Sequence, residues 1–105
     1  MYKYQFTVGL NDKDSEKQEI KTSDAKNIIS KILLNDFEIF AFTMIDCYGV
    51  YKMQSTGAIV QEASVRIEIA SDEQIPELNI IDALKKALNQ ESIMIETSEA
   101  DINFR

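Results

Sequence analysis

The sequence contains no histidine and no tryptophan, and it has one cysteine and one proline in 105 residues. Histidine is the commonest general base and zinc ligand, so its absence excludes Ser-His and Cys-His nucleophilic pairs. The lone Cys47 cannot form an internal disulfide or build a structural zinc site by itself. Its apolar surroundings are typical of a buried small hydrophobic residue in a reducing compartment. The composition excludes triad hydrolases, and we expect no metal and no cofactor.

Long hydrophobic runs are also missing. No apolar stretch approaches the roughly 18 residues that a membrane span needs, and the first residues lack the basic segment and apolar block of a signal peptide. We therefore expect a cytoplasmic protein without membrane contact. A hydrophobic content of 45% argues against disorder, and the length predicts a single domain over residues 1–105.

The charge is unbalanced, with 18 acidic and 11 basic residues and a formal net charge of −7. Such a chain repels phosphate backbones and its basic residues form no long run, so we expect no direct nucleic-acid binding. Residues 71–105 hold 8 of the acids and only 3 of the bases. Two interpretations stay open: ordinary solubility, or an acidic face that meets a basic protein partner.

The sequence of the first half of the chain predicts a strand, a loop and a helix. Apolar and polar side chains alternate over residues 2–10, which predicts a half-buried strand in which Gly9 marks a bulge or a close backbone approach. Residues 11–19 have no apolar side chain and predict an exposed loop. Apolar residues then recur at helical spacing, which predicts a helix that ends near residue 35 or 36. Three short polar side chains are candidates to cap this helix: Thr22, Ser23 and Asp24.

The second half predicts two strands, a helix and a last strand. Residues 37–48 are apolar at both parities, which favours a central strand that is covered on both sides or lies at a contact between subunits. Residues 49–57 are typical of a long hairpin connection that contains two glycines and can have extended arms of its own. The next strand spans residues 58–69. Pro76 fits the first turn of a second helix, and residues 92–97 predict the last strand. The inward set of the third strand is Ala63, Val65, Ile67 and Ile69.

This β-α-β-β-α-β order predicts a ferredoxin-like α+β domain, a four-stranded antiparallel sheet with two helices on one face. The open face is mostly polar, and the second strand is the exception. An apolar strip there is a candidate surface for a partner or for a second copy of the chain in a homodimer. Its members are Ile39, Ala41, Ile45 and Cys47.

Two groups of polar residues are candidate small-ligand sites. Residues 12–16 place carboxylates at alternate positions, as at the start of a calcium loop, but Lys17 and Ser23 stand where that loop needs glycine and an acid, so a solvated loop is the default. The second group lies around the central hairpin and is expected to approach residues 90–92. An enzyme site there would use Asp46, Glu62 or Glu91, with Gly49 and Tyr51 beside them. Turn glycines and edge-strand charges explain the same residues without a site.

Four segments carry a resemblance to a known group: VGLNDKD at 8–14, GVY at 49–51, TGAIVQE at 56–62 and LNQESI at 88–93. Together they resemble short uncharacterised proteins carried by phages and plasmids of low-GC Gram-positive bacteria. The resemblance brings no catalytic motif. It implies the context of a mobile element, where small acidic proteins frequently inhibit host defences, as anti-CRISPR proteins do.

The sequence hypothesis is a non-catalytic binding protein that inhibits a basic host protein, such as a CRISPR nuclease. Exposed carboxylates would occupy phosphate-binding sites on that partner, and tyrosines would anchor the contact. The expected partner-binding residues are Tyr48, Tyr51, Glu73, Glu77, Asp82, Glu91, Glu96, Glu99 and Asp101. A homodimeric structural or regulatory domain is the alternative hypothesis. The third hypothesis is the small-ligand enzyme that uses Asp46, Glu62 or Glu91.

Overall fold

A computed structural model describes all 105 residues and has the β-α-β-β-α-β order. The four strands form one antiparallel sheet in the order β2-β3-β1-β4, with both helices on one face, so the predicted ferredoxin-like fold is confirmed. The elements are β1 (Tyr2–Gly9), α1 (Thr22–Lys31) with a π-helical extension (Ile32–Asp36), β2 (Thr43–Lys52), β3 (Ile59–Ser71), α2 (Glu77–Leu88) and β4 (Met94–Glu99). None of the helices is long and apolar enough to cross a bilayer.

The core lies between the two central strands and the helices. Alternation puts every second side chain of β1 and β3 on the helix side, and burying each large one contributes about 1.5 to 3 kcal/mol. The predicted inward set of β3 is confirmed, since Val65, Ile67 and Ile69 are buried and Ala63 packs against them. The buried hydrophobic residues are Tyr4, Phe6, Val8, Leu10, Ala25, Ile29, Leu33, Val65, Ile67, Ile69, Ile80, Leu84 and Leu88.

The predicted start of the second strand is wrong. Residues 37–42 form a connection, and β2 begins only at Thr43. Glu38 adopts a left-handed backbone conformation with φ of 53°, and the Ile39 amide donates to the carbonyl of Leu33 at 2.9 Å. This closes the end of the helix. Part of the aromatic character of the segment reflects packing, because Phe37 and Phe42 contact the core, whereas Phe40 is 76% exposed.

The hairpin between β2 and β3 has the extended arms that the sequence allows. Its arms pair as far as Lys52 with Ile59, so the predicted connection over residues 49–57 shrinks to the turn at residues 53–58. Gly57 adopts a φ of 73° in this turn, a conformation that glycine reaches without strain. Tyr48 and Ile59 point to the helix side, yet each is 63% exposed. The helices therefore leave this arm uncovered.

The helix ends differ from the predicted ones. Lys21 occupies the N-cap of α1 with no side-chain cap, so the predicted capping by Thr22, Ser23 or Asp24 is wrong. The Thr22 hydroxyl instead accepts a hydrogen bond from the side-chain amide of Gln18 at 3.1 Å. At the other end of the fold, α2 is closed by Asn89 with a left-handed φ of 48°.

Candidate functional site

A cavity of about 460 Å³ lies at one end of the open sheet face. Its floor is formed by the ends of β1 and β3, and its walls are the loop after β1, the β2–β3 hairpin and the segment before β4. The strand register brings these parts together, because Gly49 pairs with Glu62 and Gly9 pairs with Ser64. We call this cavity the hairpin-end site.

Glu62 projects into the hairpin-end site over the backbone of β1. A Cβ atom placed on Gly9 would lie 2.6 Å from both carboxylate oxygens and from Cδ of Glu62. Real side chains do not tolerate such a contact, so the absence of a side chain at Gly9 makes room for this carboxylate. The sequence predicts a bulge or a close backbone approach at Gly9, and the structure places a side chain, the Glu62 carboxylate, against it.

The Glu62 carboxylate is also held by a hydrogen bond. The backbone amide of Asn11 donates to its Oε2 at 2.9 Å. A charge-assisted bond of this kind fixes the side chain more strongly than a neutral one. Only one oxygen is used, which leaves Oε1 for a ligand.

The loop after β1 is ordered by its own side chains. Asp12 Oδ2 accepts hydrogen bonds from the amides of Asp14 and Ser15 at 3.0 and 3.1 Å. Asn11 and Gln18 form an isolated antiparallel bridge that closes the loop. The segment is exposed, as predicted, but it has a defined conformation at the rim of the site.

Asn89 and Gln90 clamp this loop to the end of α2. The side-chain amide of Asn89 donates to Asp12 Oδ1 at 2.7 Å and to Asp14 Oδ2 at 2.9 Å. The buried Gln90 donates to the Asn11 carbonyl at 2.8 Å. The Asn89 bond, followed by the amides of Ser15 and Asp14, holds the pKa of Asp12 below its ordinary value. The carboxylates of Asp12 and Asp14, in the segment that resembles the start of a calcium loop, thus accept hydrogen bonds from the Asn89 amide. No group of three or more His, Cys, Asp or Glu side chains that could hold a metal ion is present.

The lining of the hairpin-end site is predominantly acidic. Four carboxylates and one ammonium group line it, which gives a formal charge of −3. The hairpin contributes the less polar wall, including Tyr51 and Met53. The charged lining residues are Asp12, Lys13, Glu16, Glu62 and Glu91.

The structure brings together most of the residues predicted for a small-ligand site. Glu62, Glu91, Gly49 and Tyr51 all line the cavity beside residues 90–92, as the sequence predicts. Asp46 does not belong to it. Its side chain lies on the helix side of β2, where it forms an ion pair with Lys26 at 3.0 Å.

The residues predicted for partner binding are spread over the molecule. Tyr51 and Glu91 line the hairpin-end site, whereas Tyr48 lies on the opposite face of β2. Glu77 accepts a hydrogen bond from the Thr97 hydroxyl at 3.1 Å. The remaining carboxylates are exposed on the β3–α2 connection, on α2, on β4 and in the C-terminal segment: Glu73, Asp82, Glu96, Glu99 and Asp101.

Sequence reasoning missed the contribution of the loop after β1. Asn11, Lys13 and Glu16 look like ordinary solvated residues until the clamp by Asn89 places them at the rim. The signal in the sequence was the polar segment at residues 89–91, directly after the apolar positions of the second helix. Asn is a frequent left-handed residue at the end of a helix, and its side chain is then free to form hydrogen bonds elsewhere.

No family model and no curated protein matches the sequence. Among solved structures, the chain is similar to a phage SAM lyase in complex with S-methyl-5'-thioadenosine, with 24% identity and a TM-score of 0.66 over 93% of this chain and 80% of that one. A phage SAM lyase in the apo state matches at 25% identity, with a TM-score of 0.62 over 92% of this chain and 78% of that one.

A more distant likeness reflects the fold alone. The Bacillus subtilis GlnK–ATP complex matches at 10% identity with a TM-score of 0.51, over 93% of this chain and 84% of that one. A DUF3240 family protein from Shewanella baltica also has 10% identity, with a TM-score of 0.54 over 99% of this chain and 94% of that one.

Proposed function

We propose that the hairpin-end site binds S-adenosylmethionine (SAM) and cleaves it to S-methyl-5'-thioadenosine. One observation carries the proposal: an acidic cavity with a fixed carboxylate, Glu62, lies in a chain similar to a phage SAM lyase over 93% of its length. The similarity supplies the substrate class. The charges and contacts of this chain supply the reasons to accept it.

The charge of the cavity suits SAM and opposes a nucleoside triphosphate. SAM carries a sulfonium, an ammonium and a carboxylate, and is therefore a net cation near neutral pH. A lining of four carboxylates and one ammonium group attracts such a ligand and repels polyphosphates. We therefore do not propose ATP, the ligand of the distantly similar GlnK complex, for this site.

The residues around Glu62 suggest how SAM would lie. The hairpin wall offers Tyr51 for stacking on the adenine ring and Met53 for soft apolar contact. Glu62 rises from the floor between this wall and the loop after β1, where it can attract the sulfonium through Oε1. The amino-acid end of SAM would then extend toward residues 11–16.

The proposed product identifies the bond that breaks. Methylthioadenosine keeps the sulfur, its methyl group and the adenosyl group, so cleavage occurs between sulfur and the γ-carbon of the amino-acid chain. We propose that an oxygen of the substrate's own α-carboxylate forms a bond to the γ-carbon while the carbon–sulfur electron pair goes to sulfur. The products are methylthioadenosine and homoserine γ-lactone. No proton is transferred, which suits a chain without histidine.

The protein would accelerate this step by orientation and by removing water. Closure of a five-membered ring gains from holding the carboxylate and the γ-carbon in a near-attack geometry. The reaction also neutralises two opposite charges, so it proceeds faster where water does not solvate them. A base that removes a proton from the β-carbon is a poorer route, because no neighbouring carbonyl acidifies that position.

The direct test is incubation of the purified protein with SAM in H₂¹⁸O, with products identified by mass spectrometry. We expect methylthioadenosine together with a homoserine lactone free of ¹⁸O. Homoserine labelled in its hydroxyl group would instead indicate attack by water, and vinylglycine would indicate elimination. Absence of methylthioadenosine above the spontaneous rate would overturn the proposed activity.

Inhibition of a basic host protein stays a prediction from the sequence. The exposed carboxylates on α2, on β4 and in the C-terminal segment support it, because they remain available to a partner whatever the hairpin-end site binds. A pull-down from host lysate at low and moderate salt tests it. Recovery of a nucleic-acid-binding protein that is released by salt supports inhibition, and recovery of untagged copies alone supports the homodimer.

A further inference from the structure

Lys13 is the only basic residue that lines the hairpin-end site. Acidic residues flank it in sequence, at positions 12, 14 and 16, yet its ammonium group forms no ion pair. The single ion pair of the molecule joins Lys26 to Asp46. The ammonium group of Lys13 is therefore available at the rim of a cavity that otherwise repels anions.

The backbone of Lys13 is fixed although its side chain is free. Its amide donates to the carbonyl of Asn89 at 3.1 Å, and the neighbouring Asp12 is bonded to the Asn89 side chain. A lysine on an anchored backbone loses less conformational freedom on binding than one on a mobile loop. The loop thus presents one positive charge at a defined place beside Asp12 and Glu16.

We infer that Lys13 binds the α-carboxylate of the substrate and so determines the specificity for ligands that carry an amino-acid group. This inference rests on the proposed function. The α-carboxylate is the one negative charge of SAM, and in a cavity with four carboxylates it needs a cation. Lys13 is the only one that the lining offers. Asp12 and Glu16 lie on the same rim, which suits the neighbouring ammonium of the ligand.

Lys13 would act as a positioning residue for the reaction. A lysine ammonium is a compact point charge and can hold one carboxylate oxygen while the other stays free to approach the γ-carbon. Methylthioadenosine has neither carboxylate nor ammonium, so its binding should not depend on Lys13. This difference between two ligands of one site makes the inference testable without catalysis.

The experiment measures binding of methylthioadenosine and sinefungin by calorimetry. Sinefungin keeps the amino-acid group of SAM but has an amine-bearing carbon in place of the sulfonium, so it cannot be cleaved. The variants are Lys13→Met, Lys13→Arg and, as a matched control, Lys17→Met, which removes a charge from the same loop outside the cavity lining. Circular dichroism confirms that each variant folds.

We expect Lys13→Met to weaken sinefungin binding about fivefold to tenfold, as for a partly exposed charge pair, and to leave methylthioadenosine binding within twofold. Lys13→Arg should restore most of the affinity, and Lys17→Met should change neither ligand by more than about twofold. Equal weakening of both ligands by Lys13→Met would assign Lys13 to loop structure and overturn the inference.

The two proposals fail in different ways. If the wild-type protein binds neither ligand, the proposed function fails and the role of Lys13 falls with it. If methylthioadenosine binds but sinefungin binding is absent, or is unchanged in Lys13→Met, the role of Lys13 is overturned and the proposed function stands.

Discussion

The sheet has a cavity at each end, and the two differ in chemistry. The hairpin-end site has about 460 Å³ and a floor and rim held by hydrogen bonds to Glu62 and Asp12. The cavity at the opposite end is larger, about 760 Å³, and mostly apolar. We call it the phenylalanine cavity, because Phe40, Phe42 and Phe104 line it. Volume alone would favour the wrong end for a charged ligand, whereas convergent and fixed polar groups favour the hairpin end.

Of the substitutions that test this difference between the two cavities, Glu62→Gln should have the largest effect on SAM cleavage. Glutamine keeps an oxygen that can accept from the Asn11 amide, so the fold should persist while the negative charge is lost. We expect kcat/KM for SAM cleavage to fall about 100-fold, equivalent to roughly 2.7 kcal/mol, chiefly through a higher KM, because the sulfonium loses its one fixed counter-charge. Steady-state kinetics measures it.

Glu68→Gln is the matched control for that substitution. Glu68 lies on the same strand and the same face, but it lines the phenylalanine cavity. Its removal should change kcat/KM less than twofold. Similar losses in both variants would mean that net charge, and not the placement of Glu62, governs activity.

The next largest effect is expected from Gly9→Ala. The added Cβ would meet the Glu62 carboxyl at 2.6 Å, so the side chain must move away from its present place. We expect kcat/KM to fall at least tenfold with the fold retained, since the carboxyl is the flexible end of its side chain. Gly49→Ala is the control, because a Cβ there would meet only the Glu62 carbonyl oxygen at 3.8 Å, an ordinary contact. Equal effects of the two would refute the steric explanation.

A smaller effect should follow from Asn89→Gly. Glycine keeps the left-handed helix end but removes the amide that binds Asp12 and Asp14. We expect KM for SAM to rise severalfold with little change in kcat, because the rim is loosened while Glu62 stays in place. Unchanged KM would show that the clamp is irrelevant to binding.

The same variant has a titration signature. The Asn89 bond lowers the pKa of Asp12, so its stabilisation is present above the ordinary value of 3.8 and is lost as the pH falls through the lower folded value. In Asn89→Gly the Asp12 pKa should move up toward 3.8, which a carboxyl-carbon NMR titration would detect. An unmoved pKa would mean that the Ser15 and Asp14 amides suffice.

The smallest effect is expected at the phenylalanine cavity. Phe104 is 79% exposed, so Phe104→Ala should alter the free energy of unfolding by less than about 1 kcal/mol and leave SAM cleavage unchanged. Denaturant unfolding and the SAM assay measure the two quantities. A marked loss of cleavage in this variant would mean that the phenylalanine cavity contributes to the reaction, which would contradict the proposed difference between the two cavities.

The fold was predictable because its signals are local. Strand alternation in β1 and β3 and the stripes of α1 and α2 follow from burial on one face, and the structure confirms them. The start of β2 could not be predicted, because apolar residues in a packed connection look like those of a covered strand. The positive φ at Glu38, which helps to close the end of the helix, leaves no clear mark in the sequence.

The site was predictable only in part, since its contacts join distant positions. Glu62 and Glu91 could be placed near each other from strand order, whereas Asp46 was grouped with them although it shares the parity of Met44, whose partner Ile67 is buried. Lys13 could not be found, because its place depends on bonds between Asn89 and a loop more than 70 residues away.

The clamp by Asn89 and Gln90 also bears on the order in which the molecule assembles. Its hydrogen bonds span 75 to 79 positions of the chain, and the bond that holds Glu62 spans 51. Contacts of such separation form only after long stretches of chain have been brought together. A chain stopped before α2 would lack the clamp even if β1, β2 and β3 had paired. The ability to bind a ligand at the hairpin end should therefore emerge with the last third of the polypeptide.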